Sequence, residues 1–349
     1  MSPKIADASV FARLSERFGR DLEAELRRAV GTSSLPLYDM VRYHLGWMDE
    51  SGGPIDADTG KRLRSLLCLF ACEAVGGEYG SALPAAAAVE LVHNFTLVHD
   101  DVMDEDHERR HRRTVWSIWG SSQAINTGDL LYSLGVASMS RLDSRDVSAA
   151  DAIAAVRRLE ETCVHVIEGQ YLDLVFEDRQ IVSVDDYLAM IANKTAALIS
   201  CSLELGALAG GADSHVQEGF AEIGMQMGLA FQIRDDILGV WGERELTGKP
   251  VGSDIRRKKK SLPAVLAFDC ARGDGLTRLQ TIFATPDLSD EIVAETLNLM
   301  DALGIRESVQ ALSDKHAAAA AESIARLPID RRAKADLIDF AAYVASRDS

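Results

Sequence analysis

The sequence predicts an all-α protein. Three observations carry that prediction. Apolar residues recur at spacings of three and four through most of the chain, alternating strand patterns are nearly absent, and the 349 residues hold only 8 Pro and no Pro/Ser-rich or low-complexity linker. With 47% hydrophobic residues the chain is long enough to bury a large core. A single helical domain over residues 1–349 is therefore expected, with about ten to twelve helices.

The elements follow in order. VFARLSERFGRDLEAELRRAV (10–30) places charges between apolar residues three and four apart, an amphipathic helix. LPLYDMVRYHLGWM (35–48) predicts a second helix, and DESGGPIDADTG (49–60) a polar, Gly-rich loop. KRLRSLLCLFACEAVGG (61–77) predicts a helix closed by glycines. ALPAAAAVELVHNFTLVHDDVMDED (82–106) is apolar on most sides up to His99, as a buried central helix would be. Further helices are expected over 123–140, 147–179, 184–211, 214–241, 261–273, 289–303, 305–326 and 330–346; within them the Ala-rich DKHAAAAAESIARL is a strong helix former.

A net charge of −17 favours solubility and disfavours general nucleic-acid binding, while leaving room for an anionic ligand wherever positive charge is concentrated. Cys68, Cys72, Cys163, Cys201 and Cys270 are odd in number and sit in mostly apolar stretches, as reduced core thiols do. The first twenty residues carry no apolar signal core, and no stretch is read as reaching the roughly 18 apolar residues of a membrane span. A cytosolic protein is expected.

HDDVMDEDHERRHRR (99–113) crowds five acids into seven positions and then reverses sign. On a helix Asp100 and Asp104 lie one turn apart on nearly one face, with Asp101 beside them. Two ionised carboxylates ~4 Å apart repel by about 4 kcal/mol at an effective dielectric of 20, so a cation is expected to neutralise them. Hard oxygen ligands suit Mg²⁺ or Mn²⁺, and Mg²⁺ takes one or two carboxylates plus substrate phosphates. FTLVHDDVMD (95–104) is echoed by FQIRDDILG (231–239), so Asp235 and Asp236 are expected to present a second pair to the same cavity. Metal ions between two such clusters suit a diphosphate leaving group. A diphosphate also needs donors, and arginine supplies a planar, permanently charged fork. Arg109 and Arg110 follow the acids, and Lys61, Arg62, Arg64, Lys194, Lys249 and RRKKK (256–260) concentrate further positive charge on an acidic chain.

Six stretches now resemble the trans-isoprenyl diphosphate synthases, in that family's order: GKRLR (60–64), LVHNFTLVHDDVMDEDHERR (91–110), EGQYLDL (168–174), NKTAALI (193–199), FQIRDDILG (231–239) and TGKPVGSDIRRKKKSLP (247–263). The resemblance implies an all-α isoprenoid-synthase bundle around a deep central cavity, usually homodimeric. It implies a transferase that joins isopentenyl diphosphate to an allylic diphosphate (dimethylallyl, geranyl or farnesyl) by ionisation, condensation and elimination, with three Mg²⁺. Asp100 and Asp104 resemble first-motif ligands with Asp101 supporting, and Asp235 a second-motif ligand with Asp236 in its outer shell. Arg109, Lys194, Lys249 and Lys259 resemble the allylic diphosphate site; Lys61, Arg64, His93 and Arg110 resemble the isopentenyl diphosphate site. Gln170, Asp173, Thr195 and Gln232 resemble reaction-centre residues, Asp173 being a further candidate ligand.

The match departs in places. Gly239 stands where many members have a third Asp of the second motif; His111, Arg113 and Trp116 replace a more usual Gly, Pro and His. Product length is read from Phe95 and Thr96, five and four residues before Asp100. Thr96 lies one turn back on the Asp100 stripe, where a small side chain leaves room, and the resemblance makes Phe95 a partial floor. The pattern is like that of geranylgeranyl (C20) synthases, with farnesyl (C15) the alternative.

Rivals are a class I terpene cyclase, which would not need Lys61, Arg64 and His93, and a non-catalytic subunit of a heteromeric synthase, which intact Asp and Arg motifs disfavour. HERRH (107–111) matches the zinc-peptidase pattern H-E-x-x-H, but Arg109, Arg110, Arg112 and Arg113 would repel a dication.

Overall fold

The computed structural model describes residues 7–57, 60–243 and 250–346. They fall into two compact units, Phe11–Cys163 with Cys201–Ala221, and Val164–Ser200 with Glu222–Ser349 and the start of the chain through Val10. Both are helical; the only sheet among the described residues is one two-stranded hairpin.

In order, the first half of the chain forms α1 (Asp7–Val30), α2 (Pro36–His44), α3 (Leu63–Ala74), α4 (Leu83–Met103), strands β1 (Glu108–Arg109) and β2 (Arg112–Arg113), α5 (Val115–Trp119), α6 (Ser121–Met139) and α7 (Ala149–Asp178). Then come α8 (Val184–Ile191), a π-helical turn (Ala192–Ala196), α9 (Ala197–Ala209), α10 (Ser214–Trp241), α11 (Ser253–Arg256), α12 (Leu262–Cys270), α13 (Gly273–Ala284), α14 (Asp290–Ala302), α15 (Ile305–Arg326) and α16 (Arg331–Ser346). Helix starts follow local chemistry: Ser183 Oγ accepts from Asp186 N at 3.1 Å, Asp213 Oδ1 from Val216 N at 2.9 Å, and Asp330 Oδ1 from Ala333 N at 3.0 Å.

The sequence placed nearly all of these helices, and four differences have physical causes. The helix expected over 184–211 is continuous in path but widened by the π turn at 192–196. α13 was not expected: the sequence reading ended one helix at 273 and placed the next at 289, leaving 274–288 unassigned. The charged run after Asp104 forms the β1–β2 hairpin, closed by Arg110 (φ 52°) and His111 (φ 60°). Both turn residues are left-handed, as a two-residue hairpin turn demands, and each non-glycine there costs about 1–2 kcal/mol. His107 and His111 therefore do not share a helical turn, which removes the H-E-x-x-H zinc reading.

The fourth difference concerns apolar length. Tyr79–Met103 and Val184–Ala209 are long and apolar enough by composition to cross a membrane, contrary to the sequence expectation. Their windows are 72% and 67% buried by protein, which makes them core helices. Around α4 the packing is close because the facing residues are small. Ala85–Ala88 are fully buried, Ser138 Oγ on α6 donates to Pro84 O at 2.9 Å, and a Cβ at Gly135 would lie 3.1 Å from Ala88 O.

Candidate active site

The first acidic cluster sits at the C-terminal end of α4. The helix stops at Met103, yet Asp104 N still donates to Asp100 O at 2.8 Å, so the two acids remain one helical turn apart. Asp100 is half-buried and Asp104 exposed. Asp101 turns inward: it is 1% exposed, and Arg109 Nε donates to its Oδ1 at 2.7 Å. Burial pushes the Asp101 carboxyl up to about 6, outweighing the pull of Arg109. Asp101 thus anchors β1 to α4, and the Nε of Arg109 is committed to that anchor.

The four arginines divide by role. Arg112 Nη1 and Nη2 donate to Tyr43 O (2.9 Å) and Met48 O (3.0 Å), and its guanidinium lies over the Tyr43 ring. Arg113 donates to Ser117 O at 2.5 Å. These two hold the hairpin in place. Thr114 Oγ1 and Trp116 Nε1 each donate to Asp106 O at 2.8 Å and pin the loop between α4 and the hairpin. The guanidinium of Arg110 lies against Gly60, whose φ of +87° is the backbone conformation that favours glycine in the loop before Lys61. Lys61 is exposed just before α3. A small open cleft is lined by Tyr43, His44, Asp101, Thr114 and all four arginines.

Arg64 on α3 meets His93 on α4, Nη1 to Nε2, at 3.2 Å. Arginine only donates, so His93 Nε2 accepts and its Nδ1 carries the proton. Burial, then Arg64, Arg110 and Arg109, hold the imidazole well below its usual range, and it is neutral. Behind it Ser65 Oγ donates to Glu90 Oε2 (2.5 Å), and Asn94 Nδ2 donates to Glu90 O (2.8 Å). Phe95 packs edge-on to His99 (5.2 Å) and Tyr132 (5.5 Å), and Tyr132 donates to Glu160; Thr96 is half-buried.

The second cluster lies in the other unit. The π turn places Lys194 and Thr195, which a regular helix would rotate away. Lys194 Nζ donates to Asp173 Oδ2 at 2.5 Å. Burial alone would raise the Asp173 carboxyl, but Lys194 and Lys259 outweigh it and hold it below its usual value. Gly169, one turn before Asp173 on α7, lets the π turn approach: a Cβ there would lie 2.7 Å from Lys194 Cα. Gln170, half-buried, follows it. Thr195 Oγ1 donates to Gln232 Oε1 (2.8 Å), and Gln232 Nε2 to Asp236 Oδ1 (3.1 Å). Asp236 is 2% exposed; its Oδ2 accepts from Tyr187 OH (2.5 Å) and Leu262 N (3.2 Å), and burial pushes it up to about 7. Asp235 beside it is half-buried. Lys259 is the member of the basic run whose charge acts on Asp173 and Asp236; Arg256 pairs with Asp290, and Lys260 lies over the Phe268 and Phe283 rings. Lys249 lies outside the described residues.

No group of three or more His, Cys, Asp or Glu side chains is arranged to hold a metal by itself among the described residues. The donor chemistry nonetheless fits Mg²⁺, which takes one or two carboxylates and leaves its other positions to water and phosphate oxygens. Residues 47–300, which carry both clusters, match the family model described as polyprenyl synthetase. The chain belongs to the polyprenyl synthetase family. A (2E,6E)-farnesyl diphosphate synthase of Mycobacterium tuberculosis is 41% identical over 89% of this chain and 86% of its own length. A geranylgeranyl diphosphate synthase of the same organism is 40% identical over 96% and 93%. A polyprenyl synthetase from Streptomyces coelicolor A3(2) superimposes with a TM-score of 0.89 at 37% identity, over 96% of this chain and 99% of that one. Family membership makes the fold of the isoprenoid-synthase type. Within this polyprenyl synthetase the sequence missed Tyr187, the buried partner of Asp236: a lone Tyr in an apolar helix gives no signal of its role.

Proposed function

We propose that this chain is a short-chain trans-prenyltransferase that condenses isopentenyl diphosphate with an allylic diphosphate, and that its main product is geranylgeranyl diphosphate. The observation that carries the reaction class is the family match across both Asp pairs, together with the Arg64–His93 pair, a donor set a terpene cyclase would not need. The C20 assignment rests on Phe95, braced by Tyr132 and His99, beside the small Thr96. Farnesyl diphosphate is the second reading, favoured by the 41% identity to a farnesyl diphosphate synthase.

Asp100, Asp104 and Asp235 are the residues that would hold three Mg²⁺, with Asp173 a further candidate and Asp236 supporting from behind. When bound, Mg²⁺, or Mn²⁺ in its place, supplies electrostatic stabilisation to the departing diphosphate. Arg109, Lys194, Lys249 and Lys259 grip the allylic diphosphate as its C–O bond breaks. Lys61, Arg64, His93 and Arg110 hold isopentenyl diphosphate so that its double bond attacks the allylic carbon. The new C–C bond forms there, and the proton lost afterwards goes to the released diphosphate. Thr195, Gln232 and Gln170 line the reaction centre. The protein's part is positioning and electrostatics.

The working unit is proposed to be a cytoplasmic homodimer. Val164, Ile167 and Tyr171 fall on one face of α7 at spacings of three and four and are 54%, 55% and 66% exposed. Such a stripe suits a second copy. The test is incubation with isopentenyl diphosphate and C5, C10 or C15 primers, with Mg²⁺ or EDTA, followed by mass analysis. C20 product lost in EDTA supports the assignment; hydrocarbon formed without isopentenyl diphosphate, or turnover indifferent to EDTA, overturns it.

A further inference from the structure

The proposed reaction leaves one buried nitrogen unused. His44, the last residue of α2, lines the small cleft beside the hairpin arginines. Its ring is hydrogen-bonded to Asn94 on α4. Asn94 Nδ2 donates to Glu90 O at 2.8 Å and to Glu90 Oε1 at 3.3 Å, so Asn94 Oδ1 is the atom that accepts from the ring. His44 Nε2 is buried and has no hydrogen-bond partner. The ring proton therefore sits on Nδ1, toward Asn94, and Nε2 is a bare acceptor. Its surroundings keep it so. Burial, then Arg109 and Arg110, hold the imidazole down to about 3, with Arg112 adding to the effect. From α4, His93 is close enough to interact with it, and Tyr43 and Asp101 share the cleft wall. The Asp101 carboxylate is taken by Arg109 Nε at 2.7 Å.

A buried acceptor left unpaired costs free energy and calls for a donor. A wall of guanidiniums calls for an anion. A fully ionised anion brings only more lone pairs to Nε2. An oxyanion that still carries a hydrogen answers both. We propose that His44 is a further binding residue for isopentenyl diphosphate and receives it singly protonated, the P–OH donating to His44 Nε2 while Arg110 takes the ionised oxygens. The inference rests on the reading of Arg110 as a ligand of that diphosphate. A phosphate ester loses its second proton near about pH 6, so at higher pH binding must draw one proton from solvent onto a phosphoryl oxygen. Guanidiniums alone favour the fully ionised form and would draw none.

The test is calorimetric titration of isopentenyl diphosphate into the full chain, in buffers of different ionisation heat. EDTA keeps metal out of the acidic clusters. Above about pH 7 the parent is expected to take up about one proton per ligand bound, and its affinity to fall about tenfold per pH unit. His44→Asn keeps a donor toward Asn94 and deletes the acceptor at Nε2. It is expected to take up no proton, to bind with an affinity that does not change with pH, and to bind about tenfold more weakly near about pH 7. A structural role for His44 would change affinity without removing the pH slope. A parent that binds without proton uptake overturns the proposal whatever the variant does. So does uptake that persists in a His44→Asn chain whose circular-dichroism melt matches the parent's, or a parent that binds nothing in EDTA yet makes prenyl product. All three leave prenyl transfer standing. A parent that neither binds isopentenyl diphosphate nor makes prenyl product overturns both readings.

Discussion

At the residue scale the site depends on groups whose charge is set by burial. His44 is held down to about 3 by burial and by Arg109 and Arg110, with a hydrogen bond to Asn94 working the other way; His93 is likewise held well below its usual 6.5. Between the folded and unfolded values the unfolded chain takes up protons that the folded chain refuses. Their contribution is therefore complete above pH 6.5 and is lost as pH falls toward 3, by up to about 1.4 kcal/mol per pH unit for each histidine. Thermal melts from pH 7.5 to 4 are expected to fall less steeply for His44→Gln than for the parent; identical slopes would contradict this. Phe95 belongs to the same scale. Its ring rests on Tyr132 and His99, so Phe95→Ala opens space without moving an acid. The expected outcome is product longer by at least one C5 unit, checked by radio-thin-layer chromatography. Asp100 and Asp104 were singled out by their spacing, whereas Arg64 and His93 were singled out by resemblance to the family's motifs. Tyr187 was not, since its tie to Asp236 joins residues 49 apart in the chain.

At the scale of elements, the π turn at 192–196 is the device that places Lys194 and Thr195. Its neighbour Gly169 decides whether it fits. Gly169→Ala would push a Cβ against Lys194 Cα, a backbone atom that cannot swing away. Overpacking of this kind costs about 1–3 kcal/mol. Gly169→Ala is expected to melt several degrees lower and to lose at least about tenfold in turnover, with chain length of product unchanged, as mass analysis would show. Normal turnover with a displaced melt would remove the π turn from the catalytic account. The hairpin at 108–113 makes the same point differently. A dense run of charge hid a strand pair, because Arg112 and Arg113 donate to backbone carbonyls at Tyr43, Met48 and Ser117.

At the scale of the whole molecule, the exposed α7 stripe is the feature a lone subunit leaves unexplained. Ile167→Asp is expected to weaken self-association at least about tenfold, because it would bury an unpaired charge in an apolar contact. Sedimentation velocity over a concentration series checks it; an unchanged sedimentation coefficient would place the interface elsewhere. The amino-acid sequence by itself determined the helical class and nearly every helix, and it marked out the two Asp pairs and the basic residues from which the proposed function is argued. These are local properties: periodicity selects a helix, and the spacing of like charges demands a counter-ion. Tertiary structure alone decided which arginines hold backbone carbonyls and which aspartates are buried as supports. Those outcomes turn on burial and on contacts between residues distant along the chain, and neither is encoded in the spacing of neighbours.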